Sequence, residues 1–196
     1  MNFFTRFTIR SMKKKLKVLK HNRLLNPASD EAIAKETNLY LNLAKVYESI
    51  KNRKKFPFAE LMVNECLRAA ASLDSSEAQF KLGSKLLEEG KFREQLEQEE
   101  LFANASNNRQ QQQLYEEAHA YLLAADNLGH IDAKRLRGLC YINGWGVNAD
   151  KKQGFDLIVD SIDKENSWDK VPQIFAAMGL NKPEFFSALA KHRTKN

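Results

Sequence analysis

Proline and glycine are scarce in this chain of 196 residues, with four and eight copies respectively. That leaves few breaks, and the abundant Ala, Leu, Lys, Glu and Gln favour helix. Alternating apolar and polar runs of the kind a half-buried strand needs are nearly absent, so a sheet is not expected. No window approaches the roughly 18 consecutive apolar residues of a membrane-spanning helix. Cysteine appears twice, as Cys66 and Cys140, each on an apolar helical stretch. Two buried thiols favour a reducing compartment, and a disulfide between them stays open at this level. Acid is missing from the chain before Asp30.

Catalytic signatures are missing as well. His21, His119, His130 and His192 do not pair with cysteine or carboxylate at metal-ligand spacing. Glu116 and Glu117 beside His119 read as a polar helix face, not as a zinc-protease box. No Gly-x-Ser-x-Gly elbow occurs. Gly144-Trp-Gly146-Val147 follows no β-like run and lacks the Lys-Ser/Thr that a phosphate loop requires. No catalytic activity, metal or cofactor is expected, although carboxylates brought together by folding stay open.

What is present is lopsided charge. Residues 1–30 carry eight Lys and Arg against one Asp, so the chain's net charge of +6 resides there and the remainder sums to about −1. Residues 1–24 form a basic amphipathic arm with Arg6, Arg10, Lys13, Lys14, Lys15 and Lys17 as its leading cations. Phe4, Met12, Leu16 and Leu19 are expected to share one helical face. Such a helix can lie on an anionic membrane or dock on an acidic partner. It also resembles a mitochondrial presequence in lacking acids, or it simply caps the fold. No recognisable nucleic-acid module accompanies the basic patch, so that role is not expected.

The second feature is a run of small residues at helical spacing. Gly129-His130-Ile-Asp-Ala133 opens a helix that carries Gly138 and Tyr141 and ends in Gly144-Trp145-Gly146-Val147, with Asp150 placed to cap the next. Gly138 inside a helix costs about 1 kcal/mol relative to Ala, which makes sense where a neighbouring helix must approach closely. Ala78, Leu82, Gly83 and Leu86 repeat the frame in degenerate form, and Leu39, Leu43, Ala44 and Tyr47 repeat it without glycines. Leu39 and Ala78 stand 39 residues apart and Ala78 and Ala133 stand 55 apart, so an insertion falls at about 91–113.

These residues resemble the Sel1-like repeat family, relatives of the tetratricopeptide repeats. Ala133, Gly138, Tyr141, Gly144, Gly146, Val147 and Asp150 match the family frame. Arg137 stands where the family usually has Leu and Gly154 where it usually has Ala, two departures expected to loosen the packing. The resemblance implies an all-α fold: a short right-handed α-solenoid of helical hairpins over residues 25–196, closed by a capping C-terminal helix pair. It implies a non-catalytic adaptor that binds one or more proteins along its first-helix face and helps assemble a complex. In bacteria such proteins often serve secretion systems or host interaction; in eukaryotes, membrane quality control and mitochondrial adaptors. The place expected is the cytoplasm, peripheral to a membrane if the arm works there, with a mitochondrial location as the alternative. Candidate contacts, by expected face and exposure, are Tyr40, Tyr47, Lys81, Lys85, Arg135 and Trp145. Charge reversal at Lys81 or Arg135 is then expected to weaken partner capture with helix content intact.

Helices are expected near 30–50, 58–73, 76–90, 112–128, 131–142 and 151–163, with a final pair from about Trp168 to Arg193 broken at Gly179–Pro183. Pro57 fits the first turn of the second of these. The insertion, rich in Glu, Asn and Gln, reads as a flexible surface excursion or a partner-specific projection. Phe92, Leu96 and Phe102 could carry an extended helix, while Asn-Ala-Ser-Asn-Asn argues for a loop at its tip. Val171, Ile174, Phe175, Met178, Phe185, Phe186 and Leu189 are expected to seal the end of the fold.

Overall fold

The computed structural model describes residues 3–25, 29–51, 56–101, 104–180 and 182–193, whose regular structure is all α-helical apart from one short 3-10 turn. Two compact units divide the chain, residues 1–85 and 86–196. The Asn26–Ala28 break, residues 52–55 of the basic turn, Phe102 and the His192 side chain lie outside the described residues.

In the first unit, α1 (Phe3–Leu25) packs on α2 (Asp30–Glu48), and α2 packs on α3 (Ala59–Ala71). Ser29 caps α2 by accepting from the Ala32 N–H at 3.3 Å. Pro57 lies in the turn before α3, so it leads into that helix and is not part of its first turn. Asp74 adopts a left-handed φ of 57° between α3 and α4 (Ser76–Gln98), and the Ser75 hydroxyl accepts from the Ala78 N–H. The core holds Leu43, Ala44, Ile50, Ala59, Val63, Leu67 and Ala70. From α1 it takes Ile9 and Leu16, while Phe4 turns to solvent and does not share that face. Ile9 and Leu16, seven residues apart, fall on one side of the helix.

The second unit holds the rest of α4 together with α5 (Ala105–Asn127), α6 (Ile131–Asn143), α7 (Lys151–Glu165), a 3-10 turn at Trp168–Lys170, α8 (Val171–Ala177) and α9 (Pro183–Arg193). The supposed flexible excursion is mostly helix, because α4 runs on to Gln98 and α5 starts at Ala105. Its asparagines explain why. Asn104 caps α5 by accepting from the N–H groups of Ser106 and Asn107. Asn107 is buried, accepting from the Arg93 guanidinium at 3.2 Å and donating to the Arg93 carbonyl at 3.3 Å. Polar residues that suggest a loop here close one.

Val171, Phe175, Leu180 and Leu189 bury against Leu139, Ile142, Phe155, Ile158 and Ile162, with Phe185 partly buried beside them. Phe175 meets Phe155 edge-on at 6.4 Å and Phe186 at 5.3 Å. The last helices thus complete the apolar core that α6 and α7 begin.

Candidate functional site

The glycine-bearing hairpin is built from its backbone outward. Gly144 ends α6 in the left-handed region at φ 75°, and its N–H returns to the Cys140 carbonyl. The Asp150 N–H then donates to the Tyr141 carbonyl at 2.8 Å, and the Asp150 carboxylate caps α7 by accepting from the Gln153 N–H. His130 caps α6 in turn, its Nδ1 accepting from the Ala133 N–H. Inside the hairpin, a Cβ on Gly138 would lie 2.6 Å from the Gly154 carbonyl oxygen, and one on Gly154 would lie 2.5 Å from the Gly138 carbonyl oxygen. The Gly154 departure therefore tightens the packing, since the two helices touch backbone to backbone. Ala133 is fully buried, Val147 half-buried, and Gly129 turns at φ 85° with open space around it. In α4, Ala78 and Gly83 are both buried.

Arg137, the other departure, does not loosen α6 either. Its guanidinium pairs with Asp126 of α5, which also attracts Lys134 at 3.5 Å. Lys134 reaches Asp160 of α7 at 2.5 Å and holds that carboxyl below the usual carboxylate range. The chain of charges α5–α6–α7 is mostly shielded from water and ties three helices together.

An aromatic and charged seam joins α4, α5 and the glycine turn. Tyr115 stacks on Trp145 at 5.8 Å between centroids, and the Lys91 ammonium stands 4.2 Å over the Trp145 ring. The Tyr115 hydroxyl donates to Glu94 at 2.6 Å; burial, with that carboxylate beside it, pushes the phenol up. Burial pushes Lys91 down. His119 meets Tyr141 edge-on at 5.5 Å, and burial, reinforced by Arg137, pushes its imidazole down. Its Nε2 is buried without a hydrogen-bond partner. Among the described residues no three His, Cys, Asp or Glu side chains stand close enough to share a metal ion.

The six candidate contacts fare differently from expectation. Tyr40 and Tyr47 are 8% and 3% exposed, buried against α1, where Lys20 and Lys13 stand 6.0 and 5.8 Å from their rings. Lys85 pairs with Glu60 and donates to Asn64 at 2.8 Å, tying α4 to α3. Arg135 is largely buried. It bonds Asp132, Glu165, Ser161 and Ser167, holding the Glu165 carboxyl below its usual range. Trp145 belongs to the seam. Lys81 is half-exposed, pairing with its i,i+4 neighbour Glu77 at 2.8 Å and joining Lys51 in holding the Glu48 carboxyl below its usual range. The expectation that charge reversal at Arg135 spares the fold is therefore corrected: the side chain is a joint between α6 and α7.

No family model matches this chain, and no curated protein does.

On α1, Arg6, Arg10, Lys13, Lys14, Lys15 and Lys17 are all exposed. Arg23 instead turns inward, its Nε donating to the Glu36 carboxylate of α2 at 2.9 Å, and Glu36 is buried. Sequence reasoning missed this anchor, as it missed Asp126, Lys91 and Glu94. Each pairs with a residue at least 11 positions away, so no local spacing announces it. Phe3, Phe7, Val18 and Leu25 were missed too, and they are exposed. Their helical spacing was the available signal.

Proposed function

We propose that this protein is a non-catalytic adaptor, a short right-handed solenoid of Sel1-like hairpins that holds other proteins within a larger complex. The observation that supports this reading is the backbone-to-backbone approach of Gly138 and Gly154. It lets α6 and α7 pack closely, as the two helices of a hairpin do in repeat proteins. The charged and aromatic groups described above serve helix-to-helix ties, which suits a scaffold. Both thiols are free and buried, which supports a reducing setting such as the cytoplasm.

Within that reading the working residue of the first-helix face is Lys81, since Tyr40, Tyr47, Lys85, Arg135 and Trp145 are occupied by the fold. The test is affinity capture with the full chain and with Lys81→Glu, after circular dichroism has matched their helix content. Wild type retains a stoichiometric protein partner, and the variant loses roughly tenfold or more of it. Equal capture by both removes Lys81 from the interface; no stoichiometric partner for either overturns the adaptor.

A further inference from the structure

The outward side of α1 carries a second apolar edge that the fold does not cover. Phe3, Phe7, Val18 and Leu25 follow one another at steps of 4, 11 and 7 residues, which on a helix keeps them within roughly one narrow sector. They are 76%, 65%, 54% and 66% exposed, and Phe4 beside them is exposed too. Folding does not account for this edge, because Ile9 and Leu16 on the other side already bury against the unit.

Cations border it. Arg6, Arg10, Lys13 and Lys17 run along one flank, Lys15 lies on the other, Lys14 falls within the sector, and α1 contains no acid. Next to Val18 is a hollow of about 570 Å³ lined by Val18, Leu19 and Leu39 together with Lys14, Lys15 and Lys35. Apolar floor and lysines side by side suit an acyl chain and the phosphate that heads it.

We propose that α1 docks the protein on an anionic lipid bilayer, with Phe3, Phe7, Val18 and Leu25 entering the interface and the flanking Lys and Arg meeting the headgroups. A second copy of the chain is a poor occupant, since two such edges would bring like charges together. An acidic protein surface would satisfy the charges but leave a long, straight row of apolar side chains needing an equally long apolar strip between its acids. The proposal goes beyond the adaptor reading and does not depend on it.

Flotation with vesicles tests it on the full chain, using phosphatidylcholine alone and with about 30% phosphatidylserine. The protein floats with the anionic vesicles and not with the neutral ones. Phe3→Ser/Phe7→Ser and Arg6→Glu/Arg10→Glu each weaken partition by roughly tenfold or more. All four positions are exposed, so the melting temperature stays at the wild-type value. As an independent reading, Phe7→Trp gains a blue-shifted emission on adding anionic vesicles beyond any change in wild type. Absence of flotation overturns the proposal. So does flotation indifferent to the loss of Phe3 and Phe7, or binding to polyglutamate as strong as to the vesicles, either of which assigns α1 to an acidic protein.

Discussion

At Gly146 the chain has φ of 71°, and a Cβ there would fall 2.2 Å from the Tyr115 carbonyl oxygen. Backbone cannot yield as a flexible side chain would, so Gly146→Ala combines left-handed strain with a collision. It is expected to destabilise by at least about 2 kcal/mol, read as a lower urea midpoint. Gly129→Ala meets only the strain, having open space around it, and costs about 1 kcal/mol. The contrast between the two variants separates conformation from contact. His119 supplies a different lever. Its imidazole is pushed down in the folded chain, so on acidification the unfolded chain takes up the proton first. Stability is then complete above the ordinary histidine value and falls as pH drops from about 7 toward 5.5. His119→Phe keeps the edge-on contact with Tyr141 and removes the titrating group. Its melting temperature should change less than that of wild type across the same window; an equal decline would place the titration elsewhere.

Elements are held by ties that cross between helices. The α1–α2 contact includes the Arg23–Glu36 pair, with one carboxylate oxygen of Glu36 buried and unpartnered. Arg23→Met keeps the aliphatic stem but strands a buried charge, at an expected cost of about 3 kcal/mol by denaturant unfolding. A loss below about 0.5 kcal/mol would show that α1 is dispensable to the unit. The number and order of the helices were legible in the sequence because capping residues and apolar spacing are local: Ser29, His130, Gly144 and Asp150 each act within a few residues. The extension of α4 and α5 was legible only in part: Phe92 and Leu96 allowed an extended helix, but the roles of Asn104 as cap and Asn107 as buried bridge arise only once Arg93 is opposite them. The contact residues were misplaced for the same reason. Tyr40 and Tyr47 were expected on an open face, but α1 covers them, and nothing local in α2 records that cover.

For the whole molecule the arm is therefore structural as well as basic. Removing residues 1–24 takes away Ile9, Leu16 and Arg23 together, uncovering Tyr40 and Tyr47 and leaving Glu36 without its cation. The shortened chain should melt at lower temperature and associate on gel filtration, so point substitutions on the outer edge are the cleaner probe of what α1 binds. An unchanged melting temperature for residues 25–196 would mean that α2 and α3 stand without it. One more property follows from the placement of sulfur. The chain has two cysteines, and each unit holds one of them: Cys66 in residues 1–85 and Cys140 in residues 86–196. Burial pushes their thiols up to about 11 and about 12, so neither offers a thiolate to an alkylating reagent while its surroundings are closed. Each sulfur is a clock built into its own half of the chain: under pulsed alkylation, the time at which each cysteine acquires its label reports when that half opens, without any added probe.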